Sequence, residues 1–197
     1  MQRKAMQNEL DILIGEYKDC GMAREFAGTK TFEQAIKCRY INDSGREVYC
    51  GHQWCIRRTA LDEIFEALSN NKEDIDKAAD FEKLYNIVES QNISYIGPLT
   101  RYDIAMRIGY LKQTKVLPEK LVYLHAGALK GAKALYQLGL IEQRPSRTMK
   151  VSDFNCLEGL KELNREEHGI PNFSTYAMIV EDFLCVKHEE LEKLAAK

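Results

Sequence analysis

The stretch SYIGPLTRYDIAMRIG, near the middle of the chain, combines residue types that suit phosphate binding. Gly97 supplies backbone freedom for a tight turn, and Pro98 suits the first position of a helix. The amides of Leu99 and Thr100 at that helix start, together with the helix dipole, attract an anion. Arg101 opposes the dipole in the first turn, and a bound phosphate would explain its position. An ordinary helix start with a surface arginine is the alternative.

Positive charge is concentrated around this stretch. Residues 97–150 contain ten Lys and Arg residues against three acidic residues, although the whole chain has a net charge of −2. An acidic body with one basic segment indicates a localised anionic partner, and Lys112 and Lys130 are further candidates for phosphate contacts. A solvated helical face accounts for the same charges. The overall charge excludes a uniformly basic nucleic-acid-binding protein.

The sequence VYCGHQWCIRR, residues 48–58, places possible zinc ligands close together. Cys50, His52 and Cys55, with Cys38 as a fourth ligand, would suit tetrahedral zinc. The spacing C-x-H-x-x-C is not that of a standard zinc knuckle, and buried free thiols are common in helical cores. We therefore predict no metal site and keep zinc as the alternative.

The same stretch offers groups that recognise a nucleobase. Trp54 can stack on a base, and His52 and Gln53 can hydrogen-bond to its edge. These residues predict a pocket for a base extruded from the duplex. In the alternative interpretation Trp54 anchors the core and Gln53 bonds to the backbone.

The candidates for acid–base catalysis are His125, Asp103 and Asp182, in that order. His125 stands at a predicted helix start, where a structural capping role is the alternative. Asp103 is four residues before Arg107 and would equally form a surface ion pair with it. Asp182 follows Glu181 in an apolar helix, where we expect a solvated acidic pair and treat partial burial as the alternative.

Helical periodicity runs through nearly the whole chain and predicts an all-α fold. The apolar pattern predicts helices over residues 31–40, 98–111, 125–138 and 175–195 among others. The stretch 47–49 is the one predicted strand.

The length of 197 residues fits a single domain. Two lobes are the alternative, in which residues 1–92 and 151–197 pack around the hairpin region 93–150. Neither a signal peptide nor a membrane-spanning apolar run is visible, and six cysteines without a secretory signal indicate a cytoplasmic protein with free thiols. We predict no cofactor, and the oligomeric state stays open.

The stretch SYIGPLTRYDIAMRIG resembles the hairpin of helix-hairpin-helix proteins, and LVYLHAGALKGAKALYQLGL resembles the segment after the hairpin in helix-hairpin-helix DNA glycosylases. This resemblance implies a glycosylase-like helical bundle whose hairpin amides grip the DNA backbone. The catalytic aspartate of those enzymes falls on Tyr123, and the lysine used for lyase chemistry in some of them falls on Leu99. We therefore expect no lyase activity through an imine at Leu99.

These observations predict a protein that binds double-stranded DNA, as a monofunctional DNA glycosylase hydrolysing the N-glycosidic bond of a damaged or modified base. Such an activity would serve DNA repair or defence against phage with modified DNA. Several motifs, among them GPLTRYDIAMRIG and EDFLC, together also resemble an uncharacterised bacterial family. A catalytically inactive helix-hairpin-helix DNA-binding module and an all-α partner-binding protein are the alternatives.

Overall fold

The computed structural model describes residues 2–51 and 55–196. The chain divides into two compact units. The central unit comprises Met22–Leu117, and the terminal unit comprises Met1–Gly21 together with Pro118–Lys197. The choice between a single domain and two lobes around the hairpin region stays a prediction.

Helices dominate both units. The elements are, in chain order, α1 (Gln2–Gly15), α2 (Met22–Gly28), α3 (Phe32–Ile36), β1 (Arg39–Ile41), β2 (Glu47–Tyr49), α4 (Arg58–Asn70), α5 (Lys72–Lys77), α6 (Phe81–Ser90), α7 (Pro98–Leu111), β3 (Leu121–Tyr123), α8 (Ala126–Gln137), β4 (Thr148–Lys150), a 3₁₀ segment (Val151–Glu162), α9 (Tyr176–Val186) and α10 (His188–Ala195). The predicted mostly helical fold is confirmed, and the strand over residues 47–49 is present as β2.

The central unit is built around the packing of α6 on α7, with α3 lying against α7. Side-chain caps fix where two of these helices begin. Thr31 accepts a hydrogen bond from the Gln34 amide at 3.1 Å while the Gln34 side chain accepts one from the Thr31 amide, which completes a capping box. Asp80 accepts a hydrogen bond from the Lys83 amide at 2.9 Å. Each cap stabilises its helix by roughly 1 kcal/mol.

The helix predicted over residues 31–40 ends at Ile36. Cys38 has a φ of 50°, in the left-handed region that a right-handed helix does not contain. After this reversal the chain continues as β1, which pairs with β2 in antiparallel register, with Tyr40 opposite Val48. The prediction of helix beyond residue 36 is therefore wrong.

In the terminal unit, α8 packs against α9 and α10. Small residues on α8 let α9 approach closely. A Cβ atom added at Gly131 would lie 2.5 Å from the Leu184 carbonyl oxygen, and one added at Gly127 would lie 3.1 Å from the Cys185 carbonyl oxygen. The glycines of AGALKGAKAL thus set the separation of the two helices, and α9 in turn supplies Phe183 and Val180 to the core.

The long helix predicted over residues 175–195 is divided in two. Thr175 caps α9 by accepting a hydrogen bond from the Met178 amide at 3.3 Å, as a serine or threonine at that position should. Lys187, with φ −99° and ψ 12°, ends α9 and precedes α10. Across the part of the chain that the structure describes, no helix combines the length and apolarity needed to cross a membrane.

Candidate functional site

The hairpin that was predicted to hold a phosphate is the connection between α6 and α7. Gly97 is the N-cap of α7 and is exposed, while Pro98 and Leu99 are half-buried and Ile96 is buried. The corner therefore lies at the surface, where the first amides of α7 have no preceding turn to bond to. Thr100 is buried at the base of this corner.

Gly97 was predicted to supply the backbone freedom that this turn needs, but the backbone at this position does not require glycine. Gly97 has φ −77° and ψ 170°, which any residue adopts, and a Cβ added there would meet no atom within 4 Å. The left-handed residues of the loop are Asn92, with φ 46°, and Tyr95, with φ 67°. A non-glycine residue in that region costs about 1–2 kcal/mol, and asparagine tolerates it better than tyrosine.

Arg101 and Lys112, two of the basic residues predicted to grip phosphates, lie at opposite ends of α7, and the third, Lys130, belongs to the other unit. Arg101 lies in the first turn of α7, and its Nε is buried with no hydrogen-bond partner among the described residues. Lys112 follows the last turn of α7, so it lies about 20 Å from Gly97 along the helix. The Lys112 ammonium group donates to the carbonyl oxygens of Ile75 and Asp76 at 2.6 and 2.8 Å, which caps the carboxyl end of α5. Lys130 is exposed on α8 of the terminal unit.

A buried ion pair lies inside the central unit. The Arg107 guanidinium group bonds to the Glu25 carboxylate through Nη2 and to the Thr29 hydroxyl through Nη1 at 3.0 Å. The second carboxylate oxygen of Glu25 accepts a hydrogen bond from the Gly51 amide at 3.1 Å. Arg107 is 3% exposed. An ion pair between Arg107 and Asp103 at the surface, the alternative considered from the sequence, is therefore wrong because Arg107 is buried.

The surroundings of Arg107 keep it charged. Burial lowers its pKa, but the nearby groups of Cys50, Cys38, Glu25 and Asp103 more than compensate, so the pKa of Arg107 lies above its ordinary value. Asp103 is half-buried and acts on this guanidinium group. The sequence signal for this cluster was weak, because a single arginine in an amphipathic helix normally faces water.

The predicted zinc ligands and base pocket are only partly described. His52, Gln53 and Trp54 lie outside the described residues. Cys38 and Cys50 are buried next to each other, with the Cys50 amide donating to the Cys38 carbonyl oxygen at 2.9 Å. Burial raises the pKa of Cys38 to about 12, and it also raises the pKa of Cys50. Both side chains therefore carry their protons at neutral pH.

No group of three His, Cys, Asp or Glu side chains within the described ranges could hold a metal ion. Cys55 is exposed, whereas Cys38 and Cys50 are buried. The absence of a metal site stays a prediction, and zinc bound with the help of His52 stays the alternative, because His52 lies outside the described residues.

A second polar cluster lies in the terminal unit, on α9. Asp182 is 4% exposed and accepts a hydrogen bond from the Tyr17 hydroxyl at 2.5 Å. Cys20 lies near Asp182 and is itself exposed. Glu181 is buried as well, so the expectation of a solvated acidic pair is wrong and the alternative of burial is correct.

These contacts fix the protonation states of the donors. Burial, followed by the charge and hydrogen bond of Asp182, raises the pKa of the Tyr17 phenol far above its ordinary value. The same causes raise the pKa of the Cys20 thiol. Both groups keep their protons at neutral pH, and the Tyr17 hydroxyl donates a hydrogen bond to the Asp182 carboxyl group. A buried acidic side chain among groups with strongly shifted pKa values is a candidate for a functional site.

His125 is the N-cap residue of α8, but its side chain makes no capping bond to that helix. It is 7% exposed, and burial together with the charge of Arg147 lowers its pKa to about 4. The imidazole is therefore neutral at pH 7, and its lowered pKa makes it a weaker base than an ordinary histidine. The next residue, Ala126, has a φ of 42°, so the chain is strained where His125 is placed.

Among the residues that the structure describes, each unit has a cavity of about 560 Å³. The cavity of the terminal unit is lined mainly by polar residues of α1, the loop after α8 and the 3₁₀ segment. The cavity of the central unit lies between the end of α5 and the loop after α7, beside Lys112. None of His125, Asp103 and Asp182 lines either cavity.

Comparison with known protein families gives one informative match. A family model described as Amino acid:DNA transferase matches residues 8–192, which is nearly the whole chain. Neither curated proteins nor solved structures gave a match. The match includes α7 with its hairpin, the Arg107 pair, His125 and the Asp182 cluster. The chain therefore belongs to the amino acid:DNA transferase family.

Proposed function

We propose that this protein joins an amino acid covalently to DNA. In this reaction the amine, after losing a proton to solvent, forms a bond to a modified base, and a leaving group already carried by that base departs with the electron pair of the broken bond. The match of the amino acid:DNA transferase family over residues 8–192 carries the proposal. The expected link to DNA is retained, whereas hydrolysis of an N-glycosidic bond is replaced by transfer.

One departure from the glycosylase pattern argues against hydrolysis of an N-glycosidic bond, and a second argues against lyase chemistry. The position of the glycosylase aspartate is occupied by Tyr123, which is 3% exposed. Leu99 stands where some glycosylases have a lysine, so no imine can form there. A glycosylase needs a carboxylate to stabilise the sugar cation or activate water, and neither residue supplies one.

We propose that the hairpin from Gly97 to Thr100 binds the DNA backbone. Its support is the exposed corner at the start of α7, where backbone amides and the helix dipole favour a phosphate. Arg101 in the same turn adds a guanidinium group, which binds phosphate through two parallel hydrogen bonds. These contacts position DNA without reading its sequence.

We propose that Asp182 and Glu181 bind the ammonium group of the amino acid. An amino acid at neutral pH carries an ammonium group, which needs a carboxylate partner when it leaves water. Asp182 is held in place by the Tyr17 hydroxyl at 2.5 Å, and the exposed residue Cys20 lies near it. His125, which is neutral at pH 7, is proposed as a hydrogen-bonding partner of the substrates, and Asp103 as the residue that helps to hold Arg107.

The test is incubation of the protein with radiolabelled amino acids and duplexes that carry a panel of altered bases. Label that stays with the DNA after protease digestion is expected for the wild type. The Asp182→Asn variant should raise the KM for the amino acid at least tenfold while DNA binding is unchanged. The Tyr17→Phe variant keeps the carboxylate and should show a smaller increase.

Alkaline treatment of the same reactions separates the competing functions. Strand scission without retained label would indicate abasic sites, and therefore a glycosylase. DNA binding with neither label nor scission across the panel would favour a binding module.

A further inference from the structure

The loop between α6 and α7 carries an aromatic side chain that the proposed function does not use. Tyr95 is 65% exposed, and its φ of 67° lies in the left-handed region. Glycine adopts this conformation without steric cost, whereas a bulky residue there is a genuine outlier. Folding stability alone therefore does not explain a tyrosine at this position.

An arginine covers the ring of Tyr95. The Cζ atom of Arg57, which immediately precedes α4, lies 3.9 Å from the ring centroid. Arg57 is itself exposed, so this contact is a cation–π pair in water. A cation–π contact at an exposed site contributes less free energy than the left-handed backbone of Tyr95 costs. The contact with Arg57 therefore does not explain why a tyrosine occupies this position.

The position of the pair points to a nucleic-acid strand. Tyr95 is two residues before Gly97, so its Cα lies within about 7 Å of the start of α7, where the hairpin is proposed to hold a phosphate. Arg57 and Arg101 make this surface suited to a polyanion. Tyrosine rings and guanidinium planes are the groups on which proteins stack unpaired bases.

We propose that Tyr95 and Arg57 form a stacking platform for an unpaired base of the bound DNA, next to the phosphate at the hairpin. The inference rests on the proposed binding of DNA by this hairpin. A base held on the platform cannot pair with the opposite strand, so the platform gives the protein a preference for DNA with an unpaired base.

The test compares a fully paired duplex with one of the same sequence that carries a single bulged 2-aminopurine. The wild type should bind the bulged duplex at least fivefold more tightly and quench the 2-aminopurine fluorescence by stacking. Tyr95→Phe should behave as the wild type. Tyr95→Gly should have a Tm at least as high, because the strain is relieved, but should lose both the preference and the quenching.

Arginine variants supply the matched control. Arg57→Ala should reduce the preference for the bulged duplex, whereas Arg58→Ala, which removes the same charge one residue along, should leave the preference intact. A Tyr95→Gly variant that keeps both the preference and the quenching would overturn the platform. Equal binding of both duplexes by the wild type would also overturn it, while leaving the hairpin proposal standing. A wild type that binds neither duplex would contradict both proposals.

Discussion

Glu25 and Arg107 are 82 positions apart in the chain, and their ion pair is the most deeply buried one described in the central unit. Charged groups inside a protein are stabilised only when each has its partner and its hydrogen bonds. Arg107 meets this condition through Glu25 and Thr29. No local pattern could have indicated a partner so far away, which is why the sequence favoured Asp103, one turn along the same helix.

Removing the charge of Glu25 should therefore destabilise the fold strongly. We expect Glu25→Gln to lower the free energy of unfolding by about 3 kcal/mol, because it removes the carboxylate that is directly bonded to the buried Arg107 cation. Glu33→Gln is the control, since Glu33 is an exposed partner of Lys37 and its loss should cost under about 1 kcal/mol. Urea denaturation of both variants measures the difference. Equal losses would show that the buried pair is not a stabilising contact of the native state.

His125 should make stability depend on pH. Its pKa is about 4 in the folded protein and about 6.5 when unfolded, so the unfolded chain binds more protons between these values. Stability from this residue is complete above about pH 6.5 and is lost as the pH falls toward 4. The loss at pH 4.5 should be about 2–3 kcal/mol.

Urea denaturation at pH 7 and pH 4.5 tests this expectation with His125→Gln, which does not titrate. The variant should lose less stability than the wild type on acidification. A wild type and a variant with parallel pH profiles would contradict a depressed pKa at His125.

At the scale of elements, helix starts marked by a capping residue or by proline could be predicted from the sequence. The cap of α6 by Asp80 and that of α9 by Thr175 are both readable from residue type and position. The start of α7 at Pro98 was predictable for the same reason, since proline is suited to the first turn.

The strands and helix breaks were harder to predict because their causes are not periodic. β1, β3 and β4 are three residues long, too short for an alternating pattern to be distinguished from helix. The reversal at Cys38 and the break at Lys187 occur at residues with no intrinsic preference for ending a helix. Tertiary contacts, rather than local propensity, decide the backbone there.

The α8–α9 contact gives a prediction about glycine. Gly131→Ala should lower the free energy of unfolding by at least about 2 kcal/mol, because its Cβ would lie 2.5 Å from the backbone oxygen of Leu184. Gly97→Ala is the control, since its Cβ would meet no atom within 4 Å and its φ suits alanine. Thermal unfolding of the two variants measures the difference, and Gly131→Ala should have the clearly lower Tm. Should Gly131→Ala prove as stable as Gly97→Ala, α8 and α9 cannot be packed as closely as described.

At the scale of the whole molecule, the basic segment over residues 97–150 is less available than its charge suggests. Arg107 is paired with Glu25, and Lys112 is bound to the end of α5. The segment is also divided between the two units at Pro118. The sequence showed the excess of positive charge but not its distribution in space, since burial and backbone contacts depend on distant residues.

The two basic residues of α7 should therefore behave differently toward DNA. Arg101→Ala should weaken binding to duplexes of any sequence and reduce the slope of log K against log salt by about 0.9, the loss of one phosphate contact. Lys112→Ala should mainly lower the Tm, because it removes the cap of α5. Binding titrations over a range of salt concentrations measure both slopes. A reduced salt slope in Lys112→Ala but not in Arg101→Ala would contradict the contact assigned to Arg101 and place the phosphate contact at the opposite end of α7.

The most direct test of amino acid transfer is the mass of the nucleosides released from DNA after reaction. The reaction uses an isotope-labelled amino acid as the donor. The DNA is then digested completely to nucleosides, which are separated and whose masses are measured by mass spectrometry. We predict a new nucleoside whose mass contains the label, formed by the wild type and strongly reduced with Asp182→Asn. Release of a free base with no labelled nucleoside would contradict the account and indicate a glycosylase.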